Sequence, residues 1–148
     1  MEMKILVVED DHLQVQWIKK GLLQSFPSAT IDVIKTELEF RLRVPGMVND
    51  APAVVIMDVM LRWTDPTPNV QSPPAEVQKG GFFRAGLRCA RLLAAQFGTR
   101  NIPVILYSVL EESDLASELK EESQVHHLRK DSALEPLIRR IQELLPNQ

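Results

Sequence analysis

A single cysteine, Cys89, stands among the 148 residues, so no disulfide can close within the chain, which fits a reducing compartment. No apolar stretch approaches the roughly 18 uncharged residues that a membrane-spanning helix needs. The N-terminal Met1-Glu-Met-Lys runs straight into a short apolar segment instead of the long hydrophobic region of a secretion signal. A cytoplasmic location without membrane insertion is the resulting expectation. Positive charge is not in excess either: 17 Lys and Arg against 20 Asp and Glu give a formal net charge of −3. That excludes a broad basic surface, and direct contact with nucleic acid is not expected. No internal repeat of about 20–50 residues is present. The length suits one domain, residues 1–148, better than two.

What is present is an alternation of short aliphatic runs and helical periodicities. Lys4-Ile-Leu-Val-Val8, Ala53-Val-Val-Ile-Met57 and Val104-Ile-Leu-Tyr107 are continuous apolar runs, the pattern of strands buried on both faces. Ala29–Ile34 and Val125–Arg129 complete a set of five strands. Asp11 with Gln14 has the spacing of a capping box ahead of a helix whose apolar side is Val15, Ile18, Leu22 and Phe26. A short helix is predicted from Thr36 to about Val44, stopped by Pro45-Gly46. Another is marked by Phe83, Leu87, Ala90, Ala94 and Phe97 and closed by Gly98. A charged helix is expected over Asp114–Glu122. A last one opens on the box Ser132-Ala-Leu-Glu135, with Pro136 in its first turn and Leu137, Ile138, Ile141, Leu144 and Leu145 on its apolar side. Strands alternating with helices predict an α/β fold, doubly wound around a five-stranded parallel sheet.

Parallel sheets bind ligands beyond the carboxyl ends of their strands, and the polar residues of interest all fall there. Glu9 and Asp10 follow the first strand, Asp58 the third, Ser108 the fourth and Lys130 the fifth. Three carboxylates in one pocket repel unless a cation neutralises them. Hard oxygen ligands with room for water and phosphate favour Mg²⁺. A hydroxyl and an ammonium beside them suit the oxygens of a phosphoryl group. Each residue alone has a plainer reading: Asp11 as a helix cap, Ser108 as a turn hydroxyl, Lys130 as a solvated charge, Asp58 as a strand-end cap. The ordered set is what chance rarely produces.

At these residues the sequence resembles the receiver family of two-component response regulators. The resemblance spans nearly the whole chain and rests on Ile5-Leu-Val-Val-Glu-Asp-Asp11, Val54-Val-Ile-Met-Asp58-Val-Met-Leu61, Pro103-Val-Ile-Leu-Tyr-Ser108 and Leu128-Arg-Lys130. The resemblance implies a flavodoxin-like fold with strand order 2-1-3-4-5. It implies a stand-alone module, not an enzyme beyond its own phosphorylation and dephosphorylation. Asp58 would accept a phosphoryl group from a histidine kinase or phosphotransfer protein. Asp10, Asp58 and the Met60 backbone carbonyl would hold Mg²⁺, with Glu9 acting through water. Ser108 and Lys130 would contact the phosphoryl group, and Ser108 with His127 would form the switch. The reporting surface would be strand five and its flanking helices, with Leu115, Leu119 and Leu137. The downstream target is open, as is homodimerisation.

The chain departs from the family pattern in four places. Arg62 and Trp63, in place of the usual Pro four residues after the acceptor, open an enlarged Pro-rich loop over residues 62–80. Its prolines predict an extended segment, either a plain surface insertion or a cover over the acidic pocket. Val109 stands where a small residue is usual, which would restrict access to the site. Met60 and Leu110 have no group to orient an attacking water, which predicts a slowly hydrolysed aspartyl phosphate. His127 replaces an aromatic residue. A pseudo-receiver, a phosphorylation-independent protein-interaction module, is the alternative reading. A phosphohydrolase ranks last, because Met60 occupies the position of its general acid.

Overall fold

The computed structural model describes residues 3–66, 72–111, 113 and 124–145. Five strands form one parallel sheet: β1 (Lys4–Val8), β2 (Thr30–Ile34), β3 (Val54–Met57), β4 (Val104–Ser108) and β5 (Val125–Arg129). Their order is β2-β1-β3-β4-β5, as the resemblance implied. Every pair is parallel, with Ile5 beside Ile31 and Val54, Val55 beside Val104, and Leu106 beside His127.

The aliphatic runs are central because both of their faces are covered. From β1, Leu6 and Val8 join Val55, Met57, Val104 and Leu106 against α2 (Glu37–Met47) and α4 (Ala85–Ala95). On the other face Ile5, Val7, Val54, Ile56 and Ile105 meet α1 (His12–Ser25) and α5 (Glu135–Leu144) through Ile18, Leu22, Leu137 and Ile141. Burying such side chains contributes about 1.5–3 kcal/mol each, enough to fix the strand register on both faces at once. No helix among the described residues is long and apolar enough to cross a membrane.

Local chemistry corrects several sequence expectations. Asp11 does cap α1, its Oδ1 accepting from Leu13 N at 2.9 Å and Gln14 N at 3.2 Å. The box is not reciprocal, however, because the Asp11 N–H donates to Glu9 Oε2. Helix α2 does not stop at Pro45 but runs to Met47. Val44 and Met47 are buried against the sheet, and that burial offsets the one helical hydrogen bond that Pro45, lacking an N–H, cannot donate. The Pro-rich segment is extended only in part: Val77 and Gln78 N–H groups donate to the Pro74 carbonyl and open α3 (Ala75–Gly80), with Val77 buried. Gly81, at φ 69°, then turns the chain into a 3-10 segment (Phe82–Arg84) ahead of α4.

Helix α4 ends at Ala95, before Phe97, which is exposed with Arg100 over its ring. The stop is made by the buried Thr99, whose hydroxyl donates to the Leu93 carbonyl at 2.8 Å, not by Gly98. Helix α5 likewise lacks its predicted cap: Ser132 bonds Asp131, and Leu134 occupies the capping position without a side-chain bond. Leu137 is fully buried and cannot belong to a reporting surface. The expected helix over Asp114–Glu122, with Leu115 and Leu119, lies outside the described residues.

Candidate functional site

Three of the site residues are placed by one more rung of the sheet ladder. The Glu9 amide donates to the Ile34 carbonyl at 3.0 Å, Asp58 N to the Val8 carbonyl at 2.9 Å, and Lys130 N to the Ser108 carbonyl at 2.7 Å. These bonds hold the residues just beyond β1, β3 and β5 at one edge of the sheet. Glycine makes the close packing there possible. A Cβ on Gly86, in the first turn of α4, would lie 2.7 Å from Val59 Cα and closer still to the Asp58 carbonyl oxygen. The Gly86 N–H meanwhile donates to the Val59 carbonyl at 2.8 Å.

Four of the sequence-predicted residues converge. Carboxylate oxygens of Glu9, Asp10 and Asp58 all lie within 4.8 Å of one another. Lys130 Nζ stands 2.8 Å from Glu9 Oε1 and 3.3 Å from Asp58 Oδ2. Asp58 Oδ1 accepts from the Met60 N–H at 3.3 Å, so both acceptor oxygens of this 9% exposed residue are oriented. Burial, and then the neighbouring Asp58 carboxylate, push the Glu9 carboxyl up to about 7 although Lys130 donates to it. Burial alone would depress the Lys130 ammonium, but Asp58 and Glu9 together carry it above its usual value.

Ser108 is less directly engaged. It is fully buried, and its hydroxyl accepts from the Leu110 N–H at 3.2 Å. Val109 beside it is exposed. His127 is half-buried on the edge strand, with its Nε2 enclosed and unpartnered among the described residues.

Three features of the site went unread in the sequence. Arg62 donates to Asp10 Oδ2 twice, from its backbone N–H at 3.2 Å and from Nε at 3.5 Å. The Tyr107 ring lies under Lys130, 5.9 Å from Nζ. Gly86 touches the Asp58 backbone. Arg62 had a signal, a cation four residues after Asp58; the other two are contacts between distant segments. The enlarged loop does border the site: Arg62, Trp63, Pro66, Pro73 and Phe82 line a cavity of about 570 Å³ with Asp10.

The donor set suits a hard divalent cation. Glu9 and Asp58 each accept one hydrogen bond per oxygen, about half of what a carboxylate oxygen can accept. Among the described residues, the cations paired with these three clustered carboxylates are Lys130 and the half-exposed Arg62. Glu9, Asp10 and Asp58 are the residues that could hold such an ion.

No protein-family model matches the chain, and no curated protein does. Solved structures, in contrast, match along almost its full length. The signal receiver domain of a DNA-binding response regulator from Colwellia psychrerythraea superposes with a TM-score of 0.70 at 19% identity, over 98% of this chain and 99% of that one. The phosphorylated cyanobacterial phytochrome response regulator RcpA gives 0.68 at 15% identity, over 98% and 92%. The receiver domain of the sensor histidine kinase PA1611 from Pseudomonas aeruginosa, with a magnesium ion coordinated in its active-site cleft, gives 0.66 at 17% identity, over 99% and 100%. Identities this low carry the likeness of fold.

Proposed function

The chain has the fold of response-regulator receiver domains, and we propose that it works as a cytoplasmic receiver whose phosphoacceptor is Asp58. The observation that carries this reading is the convergence of Glu9, Asp10 and Asp58 with Lys130 at the carboxyl edge of the sheet. The donor is a phosphohistidine on a histidine kinase or phosphotransfer protein. An Asp58 carboxylate oxygen forms the new P–O bond, the donor's P–N bond breaks, and the released imidazole takes up a proton.

Asp10, Asp58 and the Met60 carbonyl would hold Mg²⁺, with Glu9 acting through water, and the ion would supply neutralisation of phosphoryl charge. The protein's own part is positioning. Lys130 pairs with Asp58 Oδ2 and is placed to meet a phosphoryl oxygen. The Met60 N–H holds Asp58 Oδ1. The Ser108 hydroxyl accepts from the Leu110 N–H and can still donate its own hydrogen to the phosphoryl group; together with His127 it is assigned the role of a switch. No other enzymatic activity is assigned. The site lacks a group for orienting water at Met60 and Leu110, and the aspartyl phosphate is expected to last far longer than seconds.

Intact mass after incubation with Mg²⁺ and acetyl phosphate tests this. A gain of about 80 Da in wild type and none in Asp58→Asn is the expected result for an acyl phosphate at that residue. No gain in wild type would overturn the reading and leave the fold as a protein-interaction module.

A further inference from the structure

Away from the acidic edge, arginines gather around a second cavity. Arg84, Arg88 and Arg91 follow one another at intervals of four and three residues from the 3-10 turn into α4, so they share one side of it. Arg41 meets them from α2. Together the four line a cavity of about 480 Å³ between α2, α3 and α4, in which Glu76 is the one carboxylate. In a chain whose formal charge is −3, this is a local reversal of sign.

Two of the guanidinium groups, those of Arg88 and Arg41, are held in place. Glu37, fully buried, accepts Arg88 Nη2 at 2.7 Å and Arg88 Nε at 2.9 Å in a fork, and also Arg41 Nη2 at 3.0 Å. Arg88 is only 10% exposed in its side chain, and its Nη1 is enclosed with no hydrogen-bond partner among the described residues. Glu76 reaches Arg41 at 3.3 Å from the short α3 but is itself mostly exposed. Arg91, exposed on the rim, has no ion-pair partner among the described residues. Between the arginines the wall is apolar, made by Leu87, Leu92 and Ala95.

Planar guanidinium forks match carboxylates and phosphates, as the Arg88–Glu37 pair already shows. The volume falls in the range of small-molecule pockets, roughly 300–1,000 Å³. We infer that this cavity is a second ligand site, taking an oxyanion (a phosphate ester or a carboxylate) carried on a compact apolar body. Arg91 receives the head group at the rim with Arg84 beside it, Arg88 and Arg41, held by Glu37, form the wall behind it, and Leu87 and Leu92 contact the body. The site is separate from Asp58 and does not depend on its phosphorylation.

Calorimetric titration of the full chain in EDTA tests this with phenyl phosphate, benzoate, inorganic phosphate and phenol. One of the first two should bind at a single site at least tenfold more tightly than inorganic phosphate or phenol. Whichever it is identifies the head group as phosphate ester or carboxylate. Arg91→Glu and, separately, Arg84→Glu should each weaken binding tenfold or more, and Asp58→Asn should leave it unchanged. Circular dichroism checks that the variants are folded; Arg91 is exposed, so Arg91→Glu decides the matter if Arg84→Glu does not fold. Failure of both aryl anions to bind, binding indifferent to Arg91→Glu, or its loss in Asp58→Asn would overturn the assignment.

Discussion

Arg62 places two donors on a single oxygen of Asp10, the backbone N–H at 3.2 Å and Nε at 3.5 Å. The side-chain contact is an ion pair between groups 50% and 25% exposed, so the guanidinium acts as a resident counter-charge at the edge of the acidic cluster. The backbone contact is independent of the side chain and ties the loop after Asp58 to the residue after β1. The same loop is held from the far side, where the Glu37 and Leu38 N–H groups donate to the Arg62 and Trp63 carbonyls at 2.9 Å each.

Removing that counter-charge should strengthen Mg²⁺ binding. Exposed ion pairs are worth about 0.2–1 kcal/mol, which corresponds to an affinity gain of roughly 1.4- to 5-fold in Arg62→Ala. Titration calorimetry with Mg²⁺ on wild type and variant measures it. Equal or weaker binding in the variant would show that Arg62 does not compete for Asp10.

Gly86 separates two opposing effects. Gly→Ala within a helix ordinarily stabilises by about 0.5–1 kcal/mol. Here the added Cβ would collide with the Asp58 carbonyl and with Val59 Cα, and overpacking of this kind costs about 1–3 kcal/mol. The collision is with backbone, which cannot swing aside, so Gly86→Ala should lower stability and disturb Asp58. Urea denaturation gives the sign, and a more stable variant would refute the packing argument.

The buried pair between α2 and α4 should be strongly asymmetric to mutation. Arg88→Met leaves Glu37, fully buried, with Arg41 as its remaining partner, and breaking a buried pair costs about 3–5 kcal/mol. Replacing both, as in Glu37→Leu with Arg88→Met, removes the stranded charge along with its partner. The double variant should be more stable than Arg88→Met alone in a guanidinium melt. The reverse order would mean that Arg88 stabilises mainly through packing.

His126 gives the fold a mild sensitivity to acid. Burial first, and then the nearby Arg140, hold its imidazole below the usual 6.5. At this group the unfolded chain therefore binds the proton more readily than the folded one, so the contribution of His126 to stability rises with pH, opposite in sign to that of Glu9, whose carboxyl is raised in the folded chain. That contribution should be lost as pH falls through about 6.5 toward the folded value, so the stability of wild type relative to His126→Gln should fall over that range. Thermal melts between pH 5 and 8 would reveal it, and identical profiles for the two proteins would rule it out.

Much of this protein was legible from composition and spacing. Runs such as Lys4–Val8 and Val104–Ser108 can be satisfied only by a sheet covered on both sides, and strand-helix alternation leaves little choice but parallel pairing. That is why Glu9, Asp10, Asp58 and Lys130 were foreseen at one edge. Boundaries were less legible because they depend on partners elsewhere. Pro45 reads as a helix stop until Met47 is seen buried against the sheet, and Gly98 reads as a cap until Thr99 is seen holding the Leu93 carbonyl. Ser132 had the right spacing for a cap, but Asp131 next to it takes its N–H.

The sequence alone therefore determined the order of elements, the two-faced core and the chemistry gathered at the carboxyl edge, since these follow from local periodicity and from which residue types can share a pocket. The tertiary structure alone decided where single side chains spend their charge. It sets Arg62 against Asp10, Arg88 and Arg41 against a buried Glu37, and four arginines around one cavity. Those partners lie as many as 52 residues apart in the chain, and Coulomb attraction and desolvation act on distance in space, which spacing along a sequence does not encode.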